Sequence, residues 1–292
     1  MRNLFSFRKK RNEPAMSNSS NAGPSPAAVP SFAPETLRAS QPLRTGWQSD
    51  TGKVREHNED ALIAMTYEFQ QDQGRQSIGL FAVADGMGGH EQGENASSVA
   101  ARTVSDELLR QLIAPAVRGE ANSIPLTDVM RAAVLTAHDE IRRQYPGAGT
   151  TLTVAVVLDE MLAIGHVGDS RAYLFHDGKL EQVTHDHSLV ARLVEIGQST
   201  PEQAAADPRR NYLLRALGQV DPLEVDFQFQ TFVPGSKLLI CCDGLWGHVD
   251  PAALEHMLRE SDDPQAICRN LVRLANEAGG PDNITAVCVI RP

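Results

Sequence analysis

Long apolar runs and paired cysteines are both missing from this 292-residue sequence. No run of apolar residues approaches the roughly 20 that a helix needs to cross a bilayer, which predicts a soluble chain without a transmembrane segment. The four cysteines form no CxxC pair, and three of them lie inside apolar runs, which is typical of reduced, buried thiols. No secretory signal pattern opens the chain, and we therefore expect a cytoplasmic protein.

Basic residues are scarce outside the N-terminus. The sequence carries 27 Lys and Arg against 37 Asp and Glu, a formal net charge of −10. Residues 1–45 hold seven of the basic residues and two of the acidic ones, a net +5, which leaves −15 for residues 46–292. An acidic body of this kind argues against nucleic acid as a partner and suits a protein that binds cations.

Residues 1–45 have no hydrophobic period and are rich in Pro, Ser, Ala and Asn. Such a segment cannot bury enough apolar surface to offset the entropy of ordering, and we expect a disordered tail. The first eleven residues mix two phenylalanines with a basic cluster, which leaves a membrane-surface or partner-docking arm open as an alternative. Met16 is an alternative start of translation.

After the tail, segments typical of strands and of helices alternate in groups rather than singly. This grouping favours a layered α+β domain with antiparallel sheets over a doubly wound parallel sheet. In the helix predicted for residues 126–144, we expect Val129, Ala132, Leu135 and Ile141 to form the buried stripe. The predicted strands cover residues 60–69, 77–85, 150–158, 161–169, 171–178, 179–186, 225–232, 237–243 and 283–290, and the predicted helices cover residues 91–113, 126–144, parts of 188–206 and two stretches within 251–278.

Aspartates stand at the ends of several predicted strands. Asp60 begins one strand and Asp85 ends the next, so antiparallel pairing would place them side by side at one sheet edge. Asp243 and Asp282 repeat this arrangement near the C-terminus, and Asp169 ends another strand. Carboxylates that converge without cationic partners repel one another, whereas a divalent cation turns them into ligands. The pattern therefore predicts a Mg²⁺ or Mn²⁺ site, since these ions prefer oxygen ligands.

The glycines after Asp85 raise a second interpretation, a cradle for a phosphate. A dinucleotide-binding loop that began at Gly86 would need glycine at position 91, where the sequence has Glu91, and a P-loop needs a Gly-Lys-Ser/Thr triplet that the sequence lacks. Both nucleotide interpretations are thereby excluded. Because a glycine has no side chain, its carbonyl can approach a cation closely, which makes Gly86 a candidate backbone ligand.

Six short motifs then carry a family resemblance. In chain order they are "TGKVREHNEDA", "ADGMGGH", "GTTLTVAVV", "HVGDSRAY", "CCDGLWGHV" and "GGPDNITAV". Together they resemble the metal-dependent Ser/Thr protein phosphatases of the 2C type, the PPM family, and most closely its bacterial branch. The resemblance makes residues 46–292 the catalytic domain, with a flap segment at residues 186–217. It implies a four-layer α-β-β-α sandwich with two central antiparallel sheets and a metal site at one sheet edge.

The resemblance also implies a role for each matching residue. Arg55 would grip the substrate phosphate, and Glu59 would order a metal-bound water. Two core ions, Mn²⁺ or Mg²⁺, would activate a water that attacks phosphorus. Asp169 would hold a weaker third ion together with Asp243. The ligands of the two core ions would be Asp60, Asp85, Asp243, Asp282 and the backbone carbonyl of Gly86.

Further residues near the motifs have both a catalytic and a structural interpretation. Met87 stands where eukaryotic members carry a histidine proposed as general acid, so the proton donor is unassigned and water is a candidate. His90 does not match that position and is a weaker candidate for a catalytic group. The remaining four are interpreted as structural or surface groups: His185, His187, Arg171 as an ion-pair partner and Trp246 in the core near Asp243.

The sequence as a whole predicts a phosphatase that hydrolyses phosphoserine and phosphothreonine in proteins and opposes a Ser/Thr kinase. We expect a monomer whose partners are phosphorylated proteins and that kinase. Two alternatives stay open. One is an inactive phosphatase-like binding module, which the presence of Arg55 and of every ligand aspartate disfavours. The other is a hydrolase of small phosphoesters, which would share the same chemical centre.

Overall fold

The computed structural model describes residues 41–71, 74–88, 91–120, 124–219 and 221–292. The predicted tail lies outside these ranges except for its last few residues. The first strand, β1 (Arg44–Asp50), begins just ahead of the expected domain boundary at residue 46. Within the described ranges, no helix combines the length and the apolar character that crossing a bilayer requires.

The strands form two antiparallel sheets. Those after β1 are β2 (Asp60–Gln71), β3 (Gly74–Met87), β4 (Gly149–Thr150), β5 (Leu152–Leu158), β6 (Met161–Val167), β7 (Arg171–His176), β8 (Lys179–Gln182), β9 (Asp226–Thr231), β10 (Lys237–Cys241) and β11 (Ile284–Ile290). One sheet has the order β1-β11-β10-β7-β8. The other has the order β2-β3-β5-β6-β9, with β4 paired to β3.

Alternate side chains of each central strand enter different cores, because successive residues of a strand point to opposite faces. On β3, Phe81 and Val83 enter the core between the two sheets, whereas Leu80, Ala82 and Ala84 face the helices outside. The buried residues of β10 divide in the same way between the two cores that it borders. Strands buried on both faces explain the near-continuous apolar runs in the sequence.

The longer helices cover the outer faces of the sheets. The helices of the described residues are α1 (Glu91–Leu108), α2 (Ala114–Val117), α3 (Leu126–Gln144), α4 (Leu189–Glu195), α5 (Pro201–Ala206), α6 (Asp243–Trp246), α7 (Pro251–Glu260) and α8 (Pro264–Glu277), with a π-helical turn at Leu109–Ile113 that forms the last five residues of the predicted helix 91–113. The helices α1 and α3 pack on the sheet that contains β3, and α7 and α8 pack on the sheet that contains β10. The resulting layers form the predicted α-β-β-α sandwich.

The buried stripe of α3 differs from the predicted one. Ala132 and Leu135 are exposed, although Val129 and Ile141 are buried as expected. A helix turns by about 100° per residue, so a stripe that repeats every three residues drifts around the helix surface. The residues that face the sheet follow the 3.6-residue period instead: Val129, Met130, Ala133, Val134, Ala137, His138 and Ile141.

The flap segment, residues 186–217, contains α4 and α5. A bridge between Ser188 and Leu213 joins its two ends. A capping box starts α5, because the Thr200 hydroxyl accepts a hydrogen bond from the Gln203 N–H while the Gln203 side chain accepts one from the Thr200 N–H. The flap is therefore a locally ordered excursion between β8 and β9.

Candidate active site and metal centre

Asp60 and Asp85 lie directly opposite each other at one edge of their sheet. The antiparallel register pairs the first residue of β2 with a residue near the end of β3, as the sequence predicts. Thr151 fixes Asp85 from the other side, since its hydroxyl accepts from the Asp85 N–H at 2.9 Å and its own N–H donates to the Asp85 carbonyl at 2.9 Å. The two carboxylates thus stem from rigid, paired backbone.

Asp243 and Asp282 lie at strand ends of the second sheet. Asp243 begins α6 directly after β10, and Asp282 precedes β11, which pairs with β10. Gly244 allows the two turns to approach, because a Cβ at this position would overlap the carbonyl oxygen of Asn283. The centre is therefore built from adjacent strand ends of both sheets, as the sequence predicts for the first pair.

Burial raises the pKa of four carboxyl groups at this edge. The pKa of Asp60 rises to about 7, chiefly because the group is buried and also because Asp243 and Asp282 repel its charge. For Asp85 and Asp169, burial and then neighbouring aspartates raise the pKa well above the usual value. Burial and Asp282 raise the pKa of Asp243 in the same direction. The charged cluster is costly in the absence of a cation.

The donor set fits a divalent cation. Both carboxylate oxygens of Asp60 are buried and have no close hydrogen-bond partner among the described residues, although the side chains of Thr285 and Cys242 lie near enough to offset part of the rise in its pKa. One oxygen of Asp60, one of Asp85 and the Cys242 sulfur lie within 4.8 Å of one another. Oxygen-rich carboxylate clusters are the sites that Mg²⁺ and Mn²⁺ occupy in proteins. A bound ion would coordinate the two buried Asp60 oxygens and so compensate for their missing hydrogen bonds.

Close packing also fixes the candidate backbone ligand. A Cβ at Gly86 would overlap the carbonyls of Gly93 and Glu59, so only glycine fits between β2 and the first turn of α1. The Gly86 N–H donates to the Glu59 carbonyl at 3.1 Å. The Glu59 side chain is buried and packs against Gly93, where a Cβ would again overlap it.

Asp169 lies at the border between the carboxylate centre and the flap. It is buried, and its carbonyl accepts a hydrogen bond from the indole N–H of Trp246 at 3.0 Å. Arg171 forms the predicted ion pair, since its guanidinium meets both oxygens of Asp186, at 2.7 Å for the shortest contact. The same guanidinium stacks on the Trp246 ring, 3.4 Å from the ring centroid. Trp246 is thus half-buried: it packs against the core beneath α7 and α8, as predicted, and its ring also contacts Arg171.

Arg55 is the exposed member of the predicted set. Its side chain is 46% exposed, and its guanidinium donates to a carboxylate oxygen of Asp282 at 2.8 Å. It therefore reaches the edge of the carboxylate cluster from a solvent-facing loop. A guanidinium in this position can exchange one oxygen partner for another, which is what binding a phosphate requires.

Asn283 is a residue of the centre that the sequence reasoning missed. Its side-chain amide donates to the carbonyls of Thr51 and His57, each at 2.9 Å, and its side-chain oxygen accepts from the Glu59 N–H at 2.8 Å. These three bonds hold the loop that carries Arg55 and Glu59 against the start of β11. The "PDN" motif was visible, but the loop that Asn283 meets lies more than 200 positions away in sequence.

We expect Asn283→Ala to release this loop. The change removes three hydrogen bonds at a buried position, so the free energy of unfolding should fall by about 1–3 kcal/mol. The family resemblance implies that Arg55 grips the substrate phosphate, so a displaced Arg55 should also raise KM for a phosphopeptide, an effect that lower stability alone does not produce in the folded enzyme. Urea unfolding and steady-state kinetics with metal in excess measure the two effects. An unchanged KM would contradict this positioning role.

His185 and His187 are a surface and a structural histidine, respectively, as the sequence predicts. His187 is buried and structural: its ring accepts from the Gly168 N–H at 3.1 Å and contacts the Asp226 carboxylate at 3.1 Å. His185 is exposed. The weaker catalytic candidate, His90, lies outside the described residues.

Comparison with known proteins gives a consistent result. A family model described as Protein phosphatase 2C matches residues 53–286 of the chain. The Serine/threonine phosphatase stp of Listeria innocua is 36% identical over 252 residues, which cover 85% of this chain and 96% of that protein.

Comparison with solved structures also finds similarity to serine/threonine phosphatases. The crystal structure of the Mycobacterium tuberculosis serine/threonine phosphatase PstP/Ppp superposes with a TM-score of 0.72 at 33% identity and covers 85% of this chain and 98% of that one. The catalytic domain of PstP in complex with two manganese ions gives a TM-score of 0.69 at 33% identity, with the same coverage of 85% and 98%. The chain therefore belongs to the protein phosphatase 2C family, in its bacterial branch, and is a metal-dependent protein-serine/threonine phosphatase.

Proposed function

We propose that the strand-end carboxylates form the two-ion centre at which this phosphatase cleaves phosphoserine and phosphothreonine. The ligands would be Asp60, Asp85, Asp243, Asp282 and the carbonyl of Gly86. The observation that carries the proposal is the pair of buried Asp60 oxygens without a close hydrogen-bond partner among the described residues, inside a cluster of carboxyls with raised pKa. The manganese in the PstP structure supports Mn²⁺ as an occupant, and the same oxygen ligands suit Mg²⁺.

Asp169 and Asp243 would hold a third, weaker ion. Burial raises the pKa of Asp169, and repulsion from Asp243 contributes in the same direction, so the two carboxyls lie near each other. Asp169 and Asp243 both line the pocket that the flap residues also line, so the two carboxyls are accessible to an ion from that side.

The chemistry can be assigned to the residues as follows. Bound Mn²⁺ or Mg²⁺ would supply Lewis acidity, which lowers the pKa of a water and neutralises charge on the phosphate. Arg55 would leave Asp282 and offer its planar fork to the phosphate oxygens. Glu59, buried just before β2 and packed against the first turn of α1, would order the attacking water. The water oxygen would bond to phosphorus and lose a proton to solvent, the bond from phosphorus to the Ser or Thr oxygen would break, and that oxygen would take up a proton.

Met87 supplies no proton for the leaving oxygen. Its position on β3 pairs with Gly149 of β4, one residue beyond Gly86. Solvent would therefore donate the proton, and the products are a Ser or Thr hydroxyl and inorganic phosphate. An acid at position 87 is not needed for the reaction to balance.

Hydrolysis of a phosphothreonine peptide tests the proposed function. We expect turnover in the presence of Mn²⁺, loss of turnover on addition of a chelator, and recovery when Mn²⁺ is added back in excess. The physical reason is that the carboxylate cluster alone repels a phosphate dianion. Release of inorganic phosphate measures the rate. Turnover that is indifferent to the chelator would overturn the metal mechanism.

We also propose that the enzyme acts as a cytoplasmic monomer and opposes a Ser/Thr kinase. Four free cysteines, all buried, support a reducing compartment. The kinase follows from the substrate, because a phosphoserine or phosphothreonine protein must be produced by phosphoryl transfer to the hydroxyl. Size-exclusion chromatography with light scattering tests the monomer.

A further inference from the structure

A cleft of about 690 Å³ runs from the carboxylate centre to the flap. At one end it is lined by Asp169, Asp243 and Asp282, and at the other by residues of α4 and α5. This volume lies within the 300–1,000 Å³ that is usual for ligand sites in proteins. A phosphate group bound at the carboxylates would fill only one end of such a space. The rest of the cleft must accommodate something attached to the phosphate.

The flap side of the cleft contains an apolar patch beside the charged residues Glu195 and Arg210. Val190 and Val194 line it from α4, where an i,i+4 spacing places them on one helix face. Pro201 and Ala204 line it from α5 with an i,i+3 spacing. Both valines are only half-buried, and none of the seven described residues of α4 is buried. The apolar ridge of α4 is thus incompletely covered, whereas in the ridge of α5 Pro201 is exposed and Ala204 is buried.

Beyond the carboxylates of the centre, the wall opposite the flap includes the Trp246 ring and the ion pair of Arg171 with Asp186. Trp246 is held by its bond to the Asp169 carbonyl and by the guanidinium stacked on its ring. That guanidinium, from Arg171, is already paired with both oxygens of Asp186. This part of the wall favours an uncharged side chain over an acidic one. Asp186 already occupies the guanidinium of Arg171 and would repel a second carboxylate.

We propose that this cleft is a specificity subsite that takes an aliphatic side chain adjacent to the phosphorylated residue of a protein substrate. The proposal rests on the phosphatase function proposed above, because the carboxylate end of the cleft is the reacting centre. The occupant is a segment of the substrate itself: the cleft is continuous with the place where the phosphate is cleaved. Burying one Leu, Ile or Val against the valines of α4 and the Trp246 ring gives the enzyme its preference.

The test compares phosphothreonine peptides of equal length that carry Leu, Asp or Lys at each flanking position in turn. At one or two positions we expect kcat/KM for the Leu peptide to exceed that for the Asp peptide by about tenfold, the effect of burying one aliphatic side chain. At those positions the Val194→Asp variant should lose the preference for Leu and turn toward Lys. The ratio between two peptides is measured on the same enzyme sample, so partial misfolding of the variant does not affect it.

A matched variant distinguishes the effect of changing the cleft lining from the effect of changing the flap elsewhere. Ile196 directly follows α4 and is 47% exposed, and it does not line the cleft. We expect Ile196→Asp to keep the wild-type preference for Leu. Equal hydrolysis of every peptide by the wild type, or the same loss of preference in both variants, would overturn the subsite. Failure to hydrolyse any peptide or phenyl phosphate with Mn²⁺ would overturn the phosphatase proposal and the subsite with it.

Discussion

We expect Asp243→Asn to lower phosphopeptide hydrolysis by at least about a hundredfold while making the metal-free protein more stable. The carboxylate is a proposed cation ligand, and its loss weakens the site on which the chemistry depends. The same carboxylate is a buried charge near Asp282, and burial raises its pKa. Because the amide is neutral and has nearly the same shape, it relieves repulsion without leaving a cavity. Activity and stability should therefore change in opposite directions.

Two measurements and one control distinguish this result from general damage. Thermal unfolding with chelator gives the stability of the metal-free form, and the shift produced by Mn²⁺ reports binding without reference to activity. Asp139→Asn changes an exposed carboxylate of α3 and should leave activity and the Mn²⁺ shift as in the wild type. An Asp243→Asn variant with full activity, or one that is less stable than the wild type without metal, would contradict the proposed centre.

The second large effect is a pH dependence of the metal-free protein. The pKa of Asp60 is about 7 in the folded state against 3.8 for an ordinary Asp side chain. A carboxyl group with a raised folded-state pKa binds protons more tightly in the folded protein than in the unfolded one. Its contribution to stability is therefore complete below about pH 4 and is lost as the pH rises to about 7. Bound Mn²⁺ should remove this loss, since it requires the ionised carboxylate.

The measurement must be a difference, because buried histidines act in the opposite direction. Burial lowers the pKa of His166 to about 3 and also lowers the pKa of His187, so their contribution to stability grows as the pH rises through the unfolded value near 6.5. Asp60→Asn keeps both histidines. We expect its stability without metal, measured by urea unfolding, to increase relative to the wild type between pH 5 and pH 7.5. A difference that does not vary with pH would contradict the raised pKa.

The aspartate pairs could be predicted from sequence because they depend on local connectivity. Asp60 and Asp85 belong to consecutive strands, so antiparallel pairing alone places them opposite each other. The same holds for the two-sided burial of β3, which follows from its continuous apolar run. Predictions of this kind need only the identity of neighbouring strands and the alternation of side chains.

Features that depend on distant segments could not be predicted. The strand β1 has the mixed sequence RTGWQSD without apolar alternation, and it is fixed by pairing with β11 at the other end of the chain. Asn283 belongs to one of the sequence motifs. Its hydrogen bonds to the loop around Arg55 are tertiary contacts, which the motif does not indicate. The predicted buried stripe of α3 was wrong for a simpler reason, because a three-residue repeat does not match the 3.6-residue period of a helix.

The weak attachment of α4 has a consequence for how this enzyme can change over time. Since none of its seven described residues is buried, most of its side chains can be replaced without opening a cavity in the sandwich. The residues that hold the carboxylates, in contrast, are fixed by glycines at which any added side chain would collide with backbone. Chemistry and selectivity therefore reside in parts of the fold with different tolerance to mutation. A lineage could acquire new phosphoprotein targets through substitutions in α4 while the reaction itself stays unchanged.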